Sequence, residues 1–193
     1  MARKSIISLV ATVFVIAAVT GCGSEDGSGS VKPATSLDDV RPDLRDAPKP
    51  LVSISNQSLQ LLPGGAPAFF NRIKSLKGNP VVVNKWGSWC GPCRAEFPLF
   101  QKAAKRDGAK VAFLGVNILD SPEAAREFLT QRPVPYPSYV DDKLVISKQL
   151  RPVQGAPSTG FWDRSGKLVY VKIGEYKSQA DLDRDIAKYA LAQ

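Results

Sequence analysis

Residues 81–98 read VVVNKWGSWCGPCRAEFP, and this stretch determines how the rest of the chain is interpreted. The β-branched run at residues 81–86 follows an Asn-Pro dipeptide, which predicts a buried strand. The Gly-Pro dipeptide after Cys90 predicts the start of a helix, because proline is acceptable in a first helical turn. Cys90 and Cys93 therefore lie where a strand passes into a helix. A Cys-x-x-Cys unit at such a place can be part of a metal site, a structural cross-link or a redox pair.

The composition argues against the first two of these interpretations. A structural zinc site needs four ligands, commonly cysteine or histidine, and this chain has no histidine and three cysteines. A disulfide between Cys90 and Cys93 closes only a very small loop, and in the chain-entropy picture the stabilisation from a cross-link grows with loop length. The interpretation that remains is a redox pair.

The position before a helix favours redox chemistry directly. The unpaired amides of the first helical turn stabilise a thiolate at Cys90. A free cysteine with a pKa of about 8.5 is only a few per cent thiolate at neutral pH, and a pKa of about 7 raises that fraction to about half. Cys93 lies one turn further along, where it can close on Cys90 and release a partner from a mixed disulfide. We therefore predict that Cys90 attacks and that Cys93 resolves.

The third cysteine belongs to a feature of the N-terminus. Two basic residues precede an uncharged apolar run of 15 residues, 5–19, which is short for a membrane-spanning helix and typical of a secretory signal. The run ends in VTGC at residues 19–22, which resembles a bacterial lipobox. The resemblance implies that residues 1–21 are a signal peptide and that Cys22 carries lipid; an ordinary signal peptide or an uncleaved anchor is the alternative. We expect a lipoprotein on the extracytoplasmic side of the bacterial cell membrane, where disulfides are permitted.

Residues 22–50 are interpreted as a flexible tether. The tract GSEDGSGS follows Cys22, and Gly/Ser-rich sequences behave as flexible coil. Four prolines and little apolar periodicity follow in residues 31–50. The tether would hold a folded domain, residues 51–193, near a membrane surface.

The charge distribution argues against a nucleic-acid partner. The formal net charge is +8, but basic residues alternate with acids along KAAKRDGAK and DLDRDIAKY, as on solvated helix faces. A nucleic-acid site would instead show a basic stripe interleaved with exposed aromatic residues. Net charge alone speaks to solubility and nonspecific attraction.

The folded segment is predicted to alternate helices and strands, and 44% hydrophobic residues are enough for a core. Helices are predicted at residues 67–77, 91–106, 122–132, 144–150 and 178–190, and strands at residues 81–86, 111–118, 159–163 and 168–173. The last two strands flank a tight Arg-Ser-Gly turn and therefore form an antiparallel hairpin. This order predicts an α/β domain with a central mixed β-sheet flanked by helices on both faces.

The order of elements and the motif W-x-x-W-C-G-P-C resemble thioredoxin-fold proteins of the extracytoplasmic branch typified by TlpA and ResA, over residues 65–190. The resemblance implies a thioredoxin-like fold and thiol–disulfide oxidoreductase activity, with no cofactor besides the disulfide of the cysteine pair. Trp86 and Trp89 match the aromatic positions before the cysteines. Lys85 departs from the pattern, because an apolar or aromatic residue is common there, and the direction of its side chain is left open.

Two further residues match the ResA-like pattern around the cysteines. Asn84 stands where cytosolic thioredoxins place a buried acid, and asparagine cannot transfer protons in the same way. Glu96, three residues after Cys93 and so on the same helix face, matches an active-site glutamate that tunes the protonation of the cysteines. The alternative is an exposed acid that favours the first helical turns through the helix dipole. Both interpretations of Glu96 remain open.

The segment VQGAPST, residues 153–159, resembles the one in which the family carries a cis-proline opposite the cysteines. The resemblance implies a cis peptide bond at Pro157. It also implies that Ala156 offers its backbone groups to an extended substrate strand. The residues expected to complete this substrate groove are Trp89, Gly91 and Pro92.

We therefore expect a membrane-tethered enzyme that reduces disulfides of extracytoplasmic client proteins, with reduction of apocytochrome c before haem attachment as the leading case. A membrane electron donor or acceptor is a further expected partner, because the chain has no second cysteine pair. An oxidase that forms disulfides in secreted proteins and a non-catalytic peptide-binding module remain as alternatives. The Gly-Pro dipeptide does not determine the direction, because potentials of this kind of protein range from about −270 to about −120 mV.

Overall fold

The computed structural model describes residue 1 and residues 32–192 of the chain. Its helices are α1 (Lys49–Ser55), α2 (Gly65–Ser75), α3 (Gly91–Asp107), α4 (Pro122–Gln131) and α5 (Gln179–Ile186), and a π-helical turn, Ala187–Leu191, continues α5. Its strands are β1 (Leu61–Leu62), β2 (Val81–Trp86), β3 (Ala112–Asn117), β4 (Ser138–Val140), β5 (Ser158–Trp162) and β6 (Leu168–Ile173). Nearly all of the predicted signal segment and Cys22 lie outside the described residues, so the expectations for them stay predictions. Within the described residues, no helix combines the length and the apolar character needed to cross a membrane.

The six strands form one mixed sheet in the order β1-β4-β3-β2-β5-β6. Strands β1, β4, β3 and β2 are parallel, whereas β5 is antiparallel to β2 and β6 is antiparallel to β5. All residues of β2 are buried, as its β-branched run predicts. The parallel strands end at one edge of the sheet, and at this edge the chain leaves β2 towards the cysteine pair.

Helices cover both faces of the sheet. The ring of Trp86 in β2 packs against Phe97 of α3 and Phe128 of α4, with centroid separations of 5.4 and 5.2 Å. On the other face, the ring of Phe69 of α2 packs against that of Trp162 of β5, with the ring centroids 5.9 Å apart. Trp162 pairs with the first residue of β2 and Trp86 is the last, so the two indoles leave opposite faces of the sheet. The predicted α/β architecture, with a mixed sheet between helices, is confirmed.

Three elements were not predicted from the sequence, and one predicted helix is absent. Helix α1 and the short strands β1 and β4 lie in stretches with no clear periodicity; β4 follows the proline-rich PVPYP. Residues 144–150 form turns rather than the predicted helix. The carboxylate of Asp141 accepts hydrogen bonds from the backbone amides of Ile146 and Ser147, at 3.1 and 2.8 Å. Such side-chain bonds compete with helical hydrogen bonding, which explains the turns.

Part of the segment interpreted as a tether packs against the domain. Val40 is buried, and the backbone of Ala34 both donates to and accepts from the side chain of Gln101 on α3, at 2.9 and 3.0 Å. Helix α1 already begins at Lys49. The prediction of flexible coil up to residue 50 therefore differs from the structure over residues 34–50. Val40 is flanked only by the partly buried Leu37 and Leu44, and three apolar side chains among prolines give too weak a pattern for this packing to be predicted.

Candidate active site

The cysteine pair lies at the beginning of α3. Cys90 directly precedes the helix, and a disulfide bond joins it to Cys93. The sulfur of Cys90 also accepts a hydrogen bond from the backbone amide of Cys93, with an N–S distance of 3.2 Å. Cys93 is completely buried, whereas Cys90 keeps 3% of its surface exposed. The predicted pair is therefore joined in the structure, with Cys90 as the less buried residue of the two.

The start of the helix favours a thiolate at Cys90 once the disulfide is reduced. The first amides of a helix have no partner within it, and they form the positive end of the helix dipole. One of these amides, that of Cys93, already points at the Cys90 sulfur. Pro92 has no N–H, so it adds no unpaired donor of its own to this turn. This geometry is the one on which the prediction of Cys90 as the attacking sulfur rests.

Asp120 holds the loop between β2 and Cys90. Its carboxylate accepts hydrogen bonds from the backbone amide and the hydroxyl of Ser88, at 2.6 and 2.7 Å. The side-chain amide of Asn117, the last residue of β3, donates to the same carboxylate at 2.9 Å. Sequence reasoning missed Asp120. The available signal was topological, because polar residues that follow one parallel strand lie beside the loop that follows its neighbour.

The residues on either side of Cys90 in the chain are exposed. Trp89 has 51% of its surface exposed, and its indole N–H donates to the carbonyl of Ile118 at 3.2 Å, which orients the ring. Gly91 and Pro92 are also exposed. The residues predicted to line the substrate groove on this side are therefore accessible next to Cys90.

The peptide bond between Ala156 and Pro157 is cis, as predicted. Strand β5 begins one residue later and pairs with β2, and the same antiparallel register places Pro157 beside Trp86, where the loop to the cysteines begins. The carbonyl of Pro157 accepts a hydrogen bond from Gly174 at 3.1 Å. Within residues 32–192, no hydrogen bond uses the backbone amide or carbonyl of Ala156. These two backbone groups remain available to another chain.

Glu96 is buried in the domain rather than exposed on α3. Its Oε1 accepts a hydrogen bond from the side-chain amide of Asn84 at 2.7 Å, and its Oε2 accepts one from the backbone amide of Tyr176 at 2.9 Å. Burial raises the pKa of Glu96 to about 8, although these hydrogen bonds and the charge of Lys172 act in the opposite direction. The carboxyl group is therefore mostly protonated at neutral pH. The alternative interpretation of Glu96 as an exposed acid at the helix dipole is wrong.

Of the two hydrogen-bond partners of Glu96, only Asn84 could be predicted from the sequence. Asn84 was singled out, and strand alternation places it on the same face of β2 as Trp86, which packs against α3. Tyr176 was not a candidate, because it lies 80 residues from Glu96 in the segment before α5. No local pattern indicates that the backbone amide of such a residue reaches an acid on another helix.

The Redoxin family model matches residues 64–191. The chain belongs to the Redoxin family. The matched residues run from the start of α2 to the end of the helical C-terminus. This Redoxin domain contains every site residue predicted within the folded segment, from Trp89 to Pro157. Cys22 lies outside the match and outside the described residues.

Curated relatives of this Redoxin domain carry names from disulfide exchange. The thiol:disulfide interchange protein DsbE of Pseudomonas fluorescens biotype C is 32% identical over 114 residues, which are 59% of this chain and 62% of the relative. The thiol-disulfide oxidoreductase ResA of Bacillus subtilis (strain 168) is 33% identical over 104 residues, which are 53% of this chain and 57% of the relative. This chain thus spans less than two thirds of the length of either relative. The resemblance to ResA-like proteins predicted from the motif is confirmed.

A solved structure supports the same fold. DsbF of Mycobacterium tuberculosis, in mixed oxidised and reduced forms, superposes with a TM-score of 0.55 at 30% sequence identity. The superposition covers 61% of this chain and 85% of that chain. The Redoxin domain therefore has the predicted thioredoxin-like fold.

Proposed function

We propose that this protein is a thiol–disulfide oxidoreductase that exchanges its Cys90–Cys93 disulfide with the thiols and disulfides of client proteins. The observation that carries the proposal is the position of the disulfide, with Cys90 directly before α3 and Cys93 buried in its first turn. The helix start favours a thiolate at Cys90, which is the species that attacks disulfides. Relatives named thiol:disulfide interchange protein and thiol-disulfide oxidoreductase support the same activity.

In the reducing direction, the Cys90 thiolate attacks one sulfur of a client disulfide. A bond forms between the Cys90 sulfur and that client sulfur, and the other client sulfur leaves as a thiolate and takes up a proton. Cys93 then loses its proton and attacks the Cys90 sulfur, which closes the disulfide within the protein and releases the second client thiol. The client gains two electrons and takes up two protons. The cysteine pair loses two electrons, the proton of Cys93 and the proton that Cys90 released to the solvent when it became a thiolate.

Glu96 supplies a buried proton site for this exchange. It lies three residues after Cys93 on the same face of α3, and its two hydrogen bonds hold the carboxyl group in place. When an electron donor reduces the disulfide, Cys93 leaves as a thiolate. A carboxyl group that burial keeps protonated near neutral pH is able to give that thiolate a proton.

The backbone of Ala156 provides the place for a client strand. Its unused amide and carbonyl lie directly before Pro157, and register places Pro157 beside the loop to the cysteines. An extended client segment is able to form strand-like hydrogen bonds with these two groups. The exposed indole of Trp89 offers apolar contact on the other side of Cys90. Together with Gly91 and Pro92, these residues form the proposed groove.

We further propose that the protein is a lipoprotein anchored at the extracytoplasmic face of the membrane. The apolar run at residues 5–19 and the lipobox-like VTGC at residues 19–22 support this location. Clients would then be exported proteins with cysteines. A membrane electron donor or acceptor would restore the pair after each turnover, because the only other cysteine in the chain is Cys22.

The direction that we favour is reduction, with cytochrome c maturation as the leading case. The support is the joint resemblance of Asn84, the CGPC motif and Glu96 to the ResA-like pattern. A deletion strain is expected to lose covalent haem proteins and to recover them when an external thiol is supplied. If the deletion strain has normal cytochromes and its secreted proteins accumulate free thiols, the protein is instead an oxidase that forms disulfides.

The exchange chemistry itself is tested with insulin reduction by the purified protein and a thiol donor. A Cys93→Ser variant is expected to accumulate mixed disulfides with insulin, because Cys90 attacks and nothing resolves. The matched Cys90→Ser variant is expected to trap few, because Cys93 is buried. Failure of the wild-type protein to reduce insulin would refute the proposed oxidoreductase activity. Equal trapping by both variants would refute the assignment of Cys90 as the attacking and Cys93 as the resolving cysteine.

A further inference from the structure

Lys85 is a lysine in the centre of the sheet whose side chain is completely buried. It is the fifth residue of β2, and its partners across the strands are Val116 of β3 and Ser158 of β5. Side chains alternate along a strand, so Lys85 leaves the face opposite to that of Asn84, away from the cysteine helix. The direction that the sequence left open is therefore into the core.

The ammonium group of Lys85 is bonded to the segment that precedes the cis-proline. Its Nζ donates a hydrogen bond to the carbonyl of Pro152. The residues at 151–154 are exposed, whereas Pro157 is buried, so this bond holds a surface segment from below. Burial lowers the pKa of Lys85 to about 8, and the charge of Asp141 acts in the opposite direction.

A second residue holds the same segment from the neighbouring strand. Ser158 lies opposite Lys85 in the register of β2 and β5, and its hydroxyl donates to the carbonyl of Leu150. Leu150 also packs closely on Gly160, where an added Cβ would lie 2.4 Å from the leucine Cδ2. Two adjacent strand positions thus bind two carbonyls at the beginning of residues 150–157, which we call the proline segment.

A lysine at this place has a cost that an apolar side chain would not have. Burial disfavours the charged form of an amine, and a polar group without a partner is expensive in an apolar core. A methionine would occupy a similar length without that cost. What the lysine adds is a hydrogen bond from a charged donor to the proline segment, and such bonds are among the stronger ones in proteins.

We propose that Lys85 is a positioning residue for client binding: its bond to the Pro152 carbonyl holds the proline segment so that the backbone of Ala156 faces the client beside Cys90. The inference rests on the proposed oxidoreductase function. Clients that pair with the backbone of Ala156 depend on the bond. Small disulfides reach Cys90 without the groove and do not.

The test compares a protein client with a small disulfide. Lys85→Met removes the donor, and the KM for insulin is expected to rise about tenfold, as for the loss of a hydrogen bond from a charged donor, with little change in kcat. The rate at which the reduced protein reacts with oxidised glutathione is expected to stay the same. Val83→Ala is the matched control, because Val83 is a buried residue on the same face of β2. It should lower the free energy of unfolding and leave the KM unchanged.

Hydrogen exchange of the backbone amide of Gly174, which donates to the carbonyl of Pro157 at the end of the proline segment, supplies a readout that needs no activity. This amide is expected to exchange faster in Lys85→Met than in the wild-type protein, while those of β3 keep their rates. If Lys85→Met gives no cooperative unfolding transition, Lys85→Gln replaces it, because its shorter side chain does not reach Pro152. Unchanged KM and unchanged exchange would overturn the inference, and so would an equal loss of reactivity towards glutathione. A wild-type protein that does not reduce insulin would refute the proposed function, and the exchange rates would still decide the role of Lys85.

Discussion

Replacing Glu96 by glutamine should change how the stability of this protein depends on pH. Burial raises the pKa of this carboxyl group from 4.5 to about 8. Between these two values the folded protein keeps a proton that the unfolded chain has released. Stability falls with rising pH wherever the folded state binds more protons, so Glu96 makes the free energy of unfolding decrease from pH 4.5 to pH 8. The stability that the retained proton contributes is fully present below pH 4.5 and is lost as the pH rises through about 8.

The size of the effect follows from the shift. At pH 7 the unfolded chain has passed its pKa of 4.5 by 2.5 units while the folded protein remains mostly protonated. At about 1.4 kcal/mol per pH unit, the ionisation of Glu96 in the unfolded chain lowers the free energy of unfolding at pH 7 by an amount on the order of 3 kcal/mol. Glutamine does not ionise, and its amide can donate to the Oδ1 of Asn84, which has no hydrogen-bond partner among the described residues. The Glu96→Gln variant should therefore gain stability relative to the wild-type protein as pH rises.

Urea unfolding of the oxidised proteins at a series of pH values from 4.5 to 8 measures this difference. The oxidised form is chosen because Cys90 and Cys93 do not titrate while they are joined. Glu127→Gln is the control, because Glu127 is exposed on α4 and hydrogen-bonded only to the exposed Gln131 in the described structure. It should leave the slope of the free energy of unfolding against pH unchanged.

Two results would count against the reasoning, at different levels. Parallel stability curves for the wild-type protein and Glu96→Gln would show that the folded protein does not hold this proton. If the stability curves differ but the rates of thiol exchange against pH superimpose, Glu96 is a buried acid without a role in proton transfer. The expected result is that both the stability and the exchange rates change their pH dependence.

The remaining predictions concern the sheet and the N-terminus. Gly115→Ala should lower the free energy of unfolding by about 1–3 kcal/mol in urea, because overpacking in a tight core is destabilising. An added Cβ would lie 2.0 Å from the hydroxyl oxygen of Ser138 and 2.9 Å from the indole nitrogen of Trp86. Gly91→Ala is the control, because an added Cβ there would meet nothing within 4 Å outside its chain neighbours and the backbone of its own helix. Equal losses of stability in the two variants would refute the account. Mass spectrometry of the native protein should show a lipidated Cys22 as the first residue, and an unmodified Cys22 or an intact signal would refute the lipoprotein.

Much of the fold could be predicted because its signals are local. The run of β-branched residues in β2 predicts a buried strand wherever it is placed, and the Gly-Pro dipeptide after Cys90 predicts a helix start there. The tight turn between β5 and β6 predicts their antiparallel pairing in the same way. Helix α1 and strand β4 could not be predicted, because short elements among prolines are stabilised by packing against the rest of the domain. The turns at residues 144–150 could not be predicted for a similar reason, since Asp141 reorganises the backbone around them.

The sequence by itself determined the chemistry: two cysteines at the spacing of a redox pair, at the start of a helix, with a matching proline at position 157. Only the tertiary structure decided the protonation of Glu96 and the direction of Lys85. Desolvation depends on every group packed around an ionisable side chain, and here those groups come from distant parts of the chain. The partners of Glu96 lie 12 and 80 residues away, and the carbonyl that binds Lys85 lies 67 residues away. No pattern of neighbouring residues carries that information, because these groups meet only when the sheet and its helices have assembled.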